Sequence, residues 1–213
     1  LCTGARAAVP PIPGLLASDP LTNESVFDLR EKPESLAILG AGAIGCELAQ
    51  VFARLGVRVE LFELATRVLP NESELASATV AQALTQAGVR IHTGHAVREI
   101  EDGGQVVTDQ GNIECERVLV ALGRQPNTDG MKLADAKVEV DQRGFIVTDN
   151  KLRTTNKKIF AAGDCAAALQ FTHHADAQAR VLVQNALFPA TAKVDGLVVP
   201  HCTYTQPEVA SVG

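Results

Sequence analysis

The stretch Ser35-Leu36-Ala37-Ile38-Leu39-Gly40-Ala41-Gly42-Ala43-Ile44-Gly45-Cys46-Glu47 decides the fold of this chain. Its first part is a short apolar run, which is typical of a buried strand in a parallel sheet. Its second part has the spacing Gly-x-Gly-x-x-Gly, and from Cys46 to Leu55 apolar side chains recur at helical spacing. Gly56 is a typical helix stop. The stretch therefore predicts a strand, a tight glycine turn and a helix in direct succession.

Each glycine of this turn has a physical reason to be there. Gly40 permits the tight turn, Gly42 lets the backbone approach a pyrophosphate, and Gly45 lets the helix pack closely on the strand. The start of the helix offers free N–H groups and a partial positive charge to phosphates. Because the turn lies between a strand and a helix, the spacing predicts a dinucleotide-binding site.

Strand and helix patterns continue to alternate after this unit. The sequence predicts a strand over 57–63, a helix over 73–87 and a strand over 89–93. The order βαβαβ indicates a parallel sheet with right-handed crossovers. Glycine-rich turns then separate short strands, which is typical of an antiparallel meander. The expected later elements are strands over 97–101, 105–109, 113–115 and 117–122, and a helix over 173–187.

Two acidic residues compete for the ribose-binding position of the second strand. Such a site carries an acid about 20 residues after the glycines, and ligands bind at the carboxyl ends of strands. Glu63 is therefore better placed than Glu60, which we expect to be a mid-strand residue facing water or a partner. A carboxylate accepts hydrogen bonds from ribose hydroxyls and repels a 2′-phosphate. Since the nearest arginine, Arg67, is expected to be a solvated surface residue, the sequence favours NAD over NADP.

Composition and charge argue against several classes of function. The 213 residues include 19 Lys and Arg and 25 Asp and Glu, and no segment concentrates the positive charge that a nucleic acid would need. No apolar run approaches the length of about 18 residues that a membrane helix needs. The five cysteines form neither a CxxC pair nor a disulfide framework, are expected to be unreactive, and indicate a reducing cytoplasm.

A metal site is not expected either. His173 and His174 are adjacent, but no Cys, Asp or third His lies at ligand spacing from them. His92 and His95 likewise have no ligand-type neighbours in the sequence. We expect both to be loop or surface residues.

The loops of the chain resemble those of a known family. Thr3-Gly4-Ala5-Arg6 with Pro11-Ile12-Pro13-Gly14 is similar to the ATGxxP…IPG segment of flavoproteins with two dinucleotide-binding domains. The other matching motifs are GxGxIGxE at 40–47, GRxPNT at 123–128, T…IYAxGD at 155 and 159–164, and FTxPEIA at 203–210. They occur in the family's order over nearly the whole chain. The chain thus resembles the class I pyridine nucleotide-disulfide oxidoreductases, such as dihydrolipoamide dehydrogenase, glutathione reductase and mercuric reductase.

The resemblance implies an α/β fold with two parts. One is a Rossmann-like NAD-binding domain, made of a parallel sheet and an antiparallel meander, and the other is part of a second, FAD-binding Rossmann-like domain. The implied boundaries are 1–32 for the end of a first FAD-domain segment and a linker, 33–124 for the NAD(P)-binding domain, 125–197 for the second FAD-domain segment and 198–213 for the start of a dimer-interface domain.

Some motifs of the family do not occur in this sequence. The first FAD glycine motif, the CxxxxC redox pair and the catalytic His-Glu pair of the interface domain are not encoded here. The chain also starts at Leu1, and its only methionine is Met131. We therefore expect an internal piece of a longer protein, which by resemblance would be a cytoplasmic homodimer.

The resemblance also implies roles near the glycine turn. Glu47 would lie beside the nicotinamide as a catalytic residue and pair with a lysine from before Leu1; otherwise it would only stabilise the helix dipole from the first turn. Ile44 belongs to the same motif, and Gly123 would permit close approach of the cofactor at a strand end. Arg124 either lines the cleft or forms a salt bridge that holds its loop, and the sequence leaves both possibilities open.

The second FAD motif supplies the remaining candidate residues. Gly163 and Asp164 follow an apolar run that is expected to be a buried strand. By resemblance Asp164 binds the ribityl chain of FAD, whereas otherwise it would cap a turn or a helix. His173 matches the family's LAH-like position, where the N-terminus of the next helix would face the O2 side of the flavin.

The implied activity is that of an FAD-dependent NAD(P)H oxidoreductase of the disulfide reductase type, passing hydride between nicotinamide and flavin. The alternatives are a non-catalytic dinucleotide-binding module and a relative of ferredoxin or rubredoxin reductases, against which the strand at 203–210 argues. Ala7 stands where the family often has proline, and 170–176 is closer to mercuric-reductase-like members than to dihydrolipoamide dehydrogenases. The substrate therefore stays undetermined.

Overall fold

The chain divides into two compact units. The computed structural model describes residues 1–101, 103–167 and 169–212. One unit, here called the sheet unit, consists of residues 7–123 with 202–210. The other, here called the second unit, consists of residues 1–6 with 124–201 and the last residues from Ser211.

Strands and helices follow one another along both units. The strands are β1 (Ala5–Ala7), β2 (Ser35–Leu39), β3 (Arg58–Glu63), β4 (Arg90–Thr93), β5 (Val97–Glu101), β6 (Gln105–Thr108), β7 (Gly111–Glu114), β8 (Arg117–Val120), β9 (Arg124–Pro126), β10 (His201–Thr203) and β11 (Val209–Ser211). The α-helices are α1 (Ala43–Arg54), α2 (Glu74–Gln86) and α3 (Thr172–Leu187), and a short 3-10 helix covers Ser25–Asp28.

A four-stranded parallel sheet forms the centre of the sheet unit. Its strand order is β4-β3-β2-β8. Leu39 lies opposite Phe62, and Glu63 lies opposite Thr93. The carboxyl ends of β2, β3 and β4 therefore lie side by side along one edge, which is where open α/β sheets bind ligands. The parallel sheet and the antiparallel meander β5-β6-β7 confirm the predicted α/β fold class.

Strand β2 is buried on both faces, as its apolar run predicted. Leu36 and Ile38 belong to a core with α1 and α2, whereas Ala37 and Leu39 belong to a core with the meander. Side chains alternate across a strand, so one apolar run supplies both layers. Burying each leucine or isoleucine contributes about 1.5–3 kcal/mol.

The elements lie close to where the sequence predicted them, with three differences. The strand expected over 203–210 is replaced by two short strands, β10 ending at Thr203 and β11 beginning at Val209. Helix α1 begins at Ala43 and not at Cys46, because Gly42 in extended conformation serves as its N-cap. Glu47 therefore lies in the second turn, and its expected place in the first turn is wrong. The strand expected before Asp164 is replaced by an isolated bridge between Arg153 and Phe160.

The second unit is built around a smaller core. Its buried apolar residues are Val138, Ile146, Ala161 and Cys165. The backbone nitrogen of Leu1 donates to the Phe160 carbonyl oxygen at 2.6 Å, and Ala162 N–H donates to the Leu1 carbonyl oxygen at 3.1 Å. Backbone pairing with the first residue thus holds the segment that leads to Asp164. Among the described residues, no helix is long and apolar enough to cross a membrane.

Replacing Gly45 by alanine tests the close contact between α1 and the glycine turn. A Cβ atom on Gly45 would lie 1.9 Å from the carbonyl oxygen of Gly40, so the helix must shift. We expect Gly45→Ala to lower the free energy of unfolding by about 3 kcal/mol, measured by denaturant titration.

Gly42→Ala is the matched control for stability. Gly42 has a φ of −73°, and a Cβ there would meet nothing within 4 Å. Its free energy of unfolding should stay within about 0.5 kcal/mol of the unchanged chain. Equal stability of the two variants would contradict the packing argument.

Candidate functional site

The glycine turn presents an open backbone at the end of β2. Gly40 has a φ of +100°, which favours glycine, and its N–H donates to the Phe62 carbonyl oxygen at 2.8 Å. No described side chain caps the N-terminus of α1, so its first N–H groups are available to an anion. Space is free where a Cβ on Gly42 would project. This combination suits a phosphate group.

The carboxylate of Glu63 joins the glycine turn to the loop after β3. One oxygen accepts the Ala41 N–H at 2.8 Å, and the other accepts the Ala65 N–H at 2.9 Å. Each carboxylate oxygen has a further lone pair for a hydroxyl. Glu63 thus lies at the carboxyl end of its strand, beside the turn, where the sequence predicted a ribose-binding acid.

Two other candidates flank the same edge of the sheet unit. Ile44 is half-buried on the first turn of α1. Gly123 follows β8 with a φ of +100°, and a Cβ there would meet nothing within 4 Å. The carbonyl oxygen of Gly123 accepts the Ala8 N–H at 2.9 Å. Open backbone therefore lies at the ends of both β2 and β8, which are neighbours in the sheet.

Glu47 and Gln50, one turn apart on α1, hold the segment that follows β10. The Glu47 carboxylate accepts the Tyr204 N–H at 2.8 Å. The Gln50 side chain accepts the Gln206 N–H at 2.7 Å and donates to the Gln206 carbonyl oxygen at 3.1 Å. Sequence reasoning missed Gln50; its signal is a polar residue on the apolar face of a helix. The predicted place of Glu47 beside a nicotinamide stays a prediction.

A cavity of about 350 Å³ in the second unit brings three predicted residues together. Arg124, Gly163 and Asp164 line it, with residues at the start of α3. Arg124 forms a salt bridge with Asp164, Nη2 to Oδ2 at 3.1 Å, and donates to the Ala5 carbonyl oxygen at 2.8 Å. Its Nε is buried and has no hydrogen-bond partner among the described residues. Arg124 thus forms a salt bridge, as one of its alternatives expected, and its place in a dinucleotide cleft stays a prediction.

The start of α3 positions the turn beside Asp164. Gln178, buried on α3, accepts the Gly163 N–H at 2.8 Å, and its amide nitrogen lies 3.2 Å from His174 Nε2. His173 is exposed, and its Nε2 lies 2.6 Å from the Pro200 carbonyl oxygen. Sequence reasoning missed Gln178, whose signal is again a polar residue at a buried helical position. A flavin contact of His173 stays a prediction.

Comparison with known proteins decides the family. The model of the family Pyridine nucleotide-disulphide oxidoreductase matches residues 1–179. The chain belongs to this family. It spans less than half the length of the curated relatives: it is 36% identical over 220 residues to a mercuric reductase from Staphylococcus aureus, covering 100% of this chain and 40% of the relative. It is also 39% identical over 196 residues to a dihydrolipoyl dehydrogenase from Chlamydia muridarum, covering 91% and 42%.

Solved structures agree with this assignment. RclA from Escherichia coli, an HOCl-induced flavoprotein disulfide reductase solved as a Cu(II) complex, superimposes with a TM-score of 0.93 at 33% identity. The match covers 100% of this chain and 50% of that chain. The likeness confirms the predicted family and its Rossmann-like fold.

The expectations for Glu60 and His92 need correction within this family fold. Glu60 has a partner, as one of its alternatives allowed, but it is only 1% exposed. Its carboxylate pairs with Arg58 at 3.3 Å, Arg90 at 3.0 Å and His92 at 2.8 Å. His92 is therefore a strand residue with a partner and not a free loop residue. Strand pairing places Arg90 directly opposite Glu60, which spacing along one strand could not reveal.

Arg67 also differs from its expected role as a solvated surface residue. Its Nη2 donates to the carbonyl oxygens of Pro70 at 2.8 Å and Glu72 at 2.9 Å. Its Nη1 is buried, with no hydrogen-bond partner among the described residues. The arginine thus holds the loop after β3 in shape. Its Nη2 is therefore engaged by two carbonyl oxygens of its own loop.

Three of the five cysteines are buried. Burial and, to a smaller extent, the negative charge of Glu63 raise the pKa of the Cys46 thiol to about 12. Burial, and then the charge of Glu60, raises the pKa of Cys115 to about 11. Cys165 is buried as well, and Cys2 is exposed. In the described part of the chain, no group of His, Cys, Asp and Glu could hold a metal ion.

Thiol labelling checks these pKa directions. Because the thiolate is the reactive species, iodoacetamide at about pH 8 should modify Cys2 first. Cys46 and Cys115 should react at least a hundredfold more slowly, which peptide mass spectrometry can measure. Labelling in denaturant, where all five cysteines should react, is the control. Fast modification of Cys46 in the folded chain would contradict the assignment.

Proposed function

We propose that the chain forms the nicotinamide-binding part and one flavin-binding segment of an FAD-dependent NAD(P)H oxidoreductase of the disulfide reductase type. The observation that carries this proposal is the carboxylate of Glu63, held at the carboxyl end of β3 by the Ala41 and Ala65 N–H groups beside an open glycine turn. Family membership supports the activity class.

The residues present fit both cofactors. Free space at Gly42 and the uncapped start of α1 suit a dinucleotide pyrophosphate. The buried Arg124 Nε without a partner, in a cavity that also holds Asp164, suits a polar ligand such as the flavin nucleotide. When bound, nicotinamide and flavin supply the hydride chemistry, whereas the chain binds and orients them.

On the nicotinamide side, Gly40 shapes the turn, Gly42 leaves room for the pyrophosphate, and Gly45 lets the helix pack closely. Glu63 accepts hydrogen bonds from the ribose hydroxyls. Ile44 and Gly123 border the path of the cofactor. A carboxylate at this position disfavours a 2′-phosphate, and Arg67 is committed to its own loop. NAD is therefore the preferred cofactor over NADP.

Glu47 is the proposed catalytic residue beside the nicotinamide. Its carboxylate lies one turn into α1 and accepts the backbone N–H of Tyr204. A carboxylate can accept several hydrogen bonds, so capacity remains for a cationic partner. In the protein that carries this chain, a lysine is the proposed partner.

On the flavin side, Asp164 is the proposed partner of the ribityl hydroxyls. Gln178 orients the preceding Gly163 N–H, and Arg124 compensates the Asp164 charge at 3.1 Å. His173 stands at the uncapped start of α3, where N–H groups favour electron-rich ligand atoms. The proposed boundaries stay 1–32, 33–124, 125–197 and 198–213, in a cytoplasmic homodimer.

Dinucleotide titration tests the proposed function. The chain should bind NADH more tightly than NADPH, because Glu63 repels the 2′-phosphate. Glu63→Ala should weaken NADH binding at least tenfold and narrow the preference, as expected for loss of charge-assisted hydrogen bonds of about 1.5–3 kcal/mol. Isothermal titration calorimetry measures both affinities. The control Glu99→Gln removes an exposed carboxylate from β5 and should change neither. Equal or tighter binding of NADPH would sink the assignment.

Flavin binding by the 213-residue chain should be weak. The family builds its FAD site from two segments, and the glycine motif for the pyrophosphate is not in this sequence. Asp164 offers about 1.5–3 kcal/mol, whereas micromolar binding needs about 8 kcal/mol. The purified chain should therefore show almost no flavin absorbance at ~450 nm. A stoichiometric yellow preparation would show that another segment or chain supplies the missing contacts.

A further inference from the structure

The end of strand β4 carries a histidine that the proposed function leaves without a role. His95 follows Thr93 and Gly94, directly after β4. Its backbone N–H donates to the Glu63 carbonyl oxygen at 3.2 Å, and Gly94 N–H donates to the Ala65 carbonyl oxygen at 2.9 Å. These hydrogen bonds hold His95 beside Glu63, the residue that is proposed to bind the ribose.

The order of strands determines what lies next to that ribose. The glycine turn follows β2, Glu63 ends β3, and His95 follows β4, and these strands are neighbours in this order. A dinucleotide with its pyrophosphate on the turn and its ribose on Glu63 would then have its base beside the loop that follows β4, which holds His95.

The ring of His95 is prepared to accept a hydrogen bond. Nδ1 lies 3.0 Å from the Thr93 carbonyl oxygen, which can only accept, so Nδ1 carries the proton. In the neutral ring, Nε2 is then an acceptor, and no described residue bonds it. The ring packs edge-on against His92 at 5.3 Å, and His92 in turn stacks on Phe62 at 4.8 Å. A ring supported in this way loses little conformational freedom when it binds.

His92 itself cannot serve this purpose, although it is also an imidazole. Its Nε2 lies 2.8 Å from Glu60 Oε2 in the buried charge cluster. The Glu60 carboxylate also takes hydrogen bonds from Arg58 and Arg90. His92 is therefore held in the charge cluster through Nε2 and supports the neighbouring ring of His95.

We infer that His95 is a specificity-determining residue that recognises the adenine base of the dinucleotide by accepting a hydrogen bond from the exocyclic amino group at Nε2. The inference rests on the proposed function and adds to it the base that the site selects. Adenine presents an amino donor at C6, whereas hypoxanthine presents a carbonyl acceptor there. An acceptor nitrogen on the protein therefore distinguishes the two bases.

The test compares reduced nicotinamide adenine dinucleotide with reduced nicotinamide hypoxanthine dinucleotide. Binding of each to the 213-residue chain is measured by isothermal titration calorimetry at about pH 8. We expect the adenine form to bind about fivefold to tenfold more tightly, the effect of one hydrogen bond. His95→Phe keeps an aromatic ring but removes the acceptor, and should bring the ratio close to one. His95→Gln restores an acceptor oxygen and should recover part of the preference.

His201→Phe is the matched control, because it makes the same change in the second unit. It should leave the ratio of the two affinities unchanged. Equal affinity of the unchanged chain for both dinucleotides would overturn the inference while leaving the proposed function intact, and this comparison needs no variant. A His95→Phe chain that keeps the full preference would also overturn it. Failure of the unchanged chain to bind the adenine form at all would overturn the proposed function and the inference together.

Discussion

The approach of α1 to the glycine turn is the constraint on which the rest of the sheet unit depends. A side chain at Gly45 would lie 1.9 Å from the Gly40 carbonyl oxygen, so the helix can begin at Ala43 only because no side chain is there. This start aims the free N–H groups of α1 at the end of β2. It also leaves Ala41 N–H where the Glu63 carboxylate accepts it, 2.8 Å away. One steric condition thus positions both the proposed anion site and the acid beside it.

The two acidic residues of β3, Glu60 and Glu63, have different kinds of partner. Glu63, at the strand end, is bonded by backbone N–H groups and keeps lone pairs for a ligand. Glu60, three residues earlier, is buried, and its carboxylate is paired with Arg58, Arg90 and His92. A buried carboxylate needs such partners because desolvation otherwise disfavours its charge. Position along the strand therefore separates the acid that is proposed to bind the ribose from a structural one.

In the second unit, a few polar side chains hold the Gly163-Asp164 turn. Arg124 and Asp164 neutralise each other in the wall of the cavity, and Gln178 of α3 accepts the Gly163 N–H. These contacts hold the Gly163-Asp164 turn in place without any ligand. The segment before the turn needs backbone pairing with Leu1 in place of a regular strand. A preformed polar turn of this kind reduces the ordering that a bound cofactor has to impose.

Much of this protein was determined by the sequence alone. The apolar run of β2, the glycine spacing and the alternation of strand and helix are local patterns, so the parallel sheet, the meander and the position of Glu63 could be predicted from them. The family motifs likewise supplied Arg124 and Asp164 as candidates. Only the tertiary structure decided the partners of Glu60, of Glu47 and of Gly163. These contacts join residues 30, 157 and 15 positions apart, and they depend on strand register and helix packing, which no local pattern encodes.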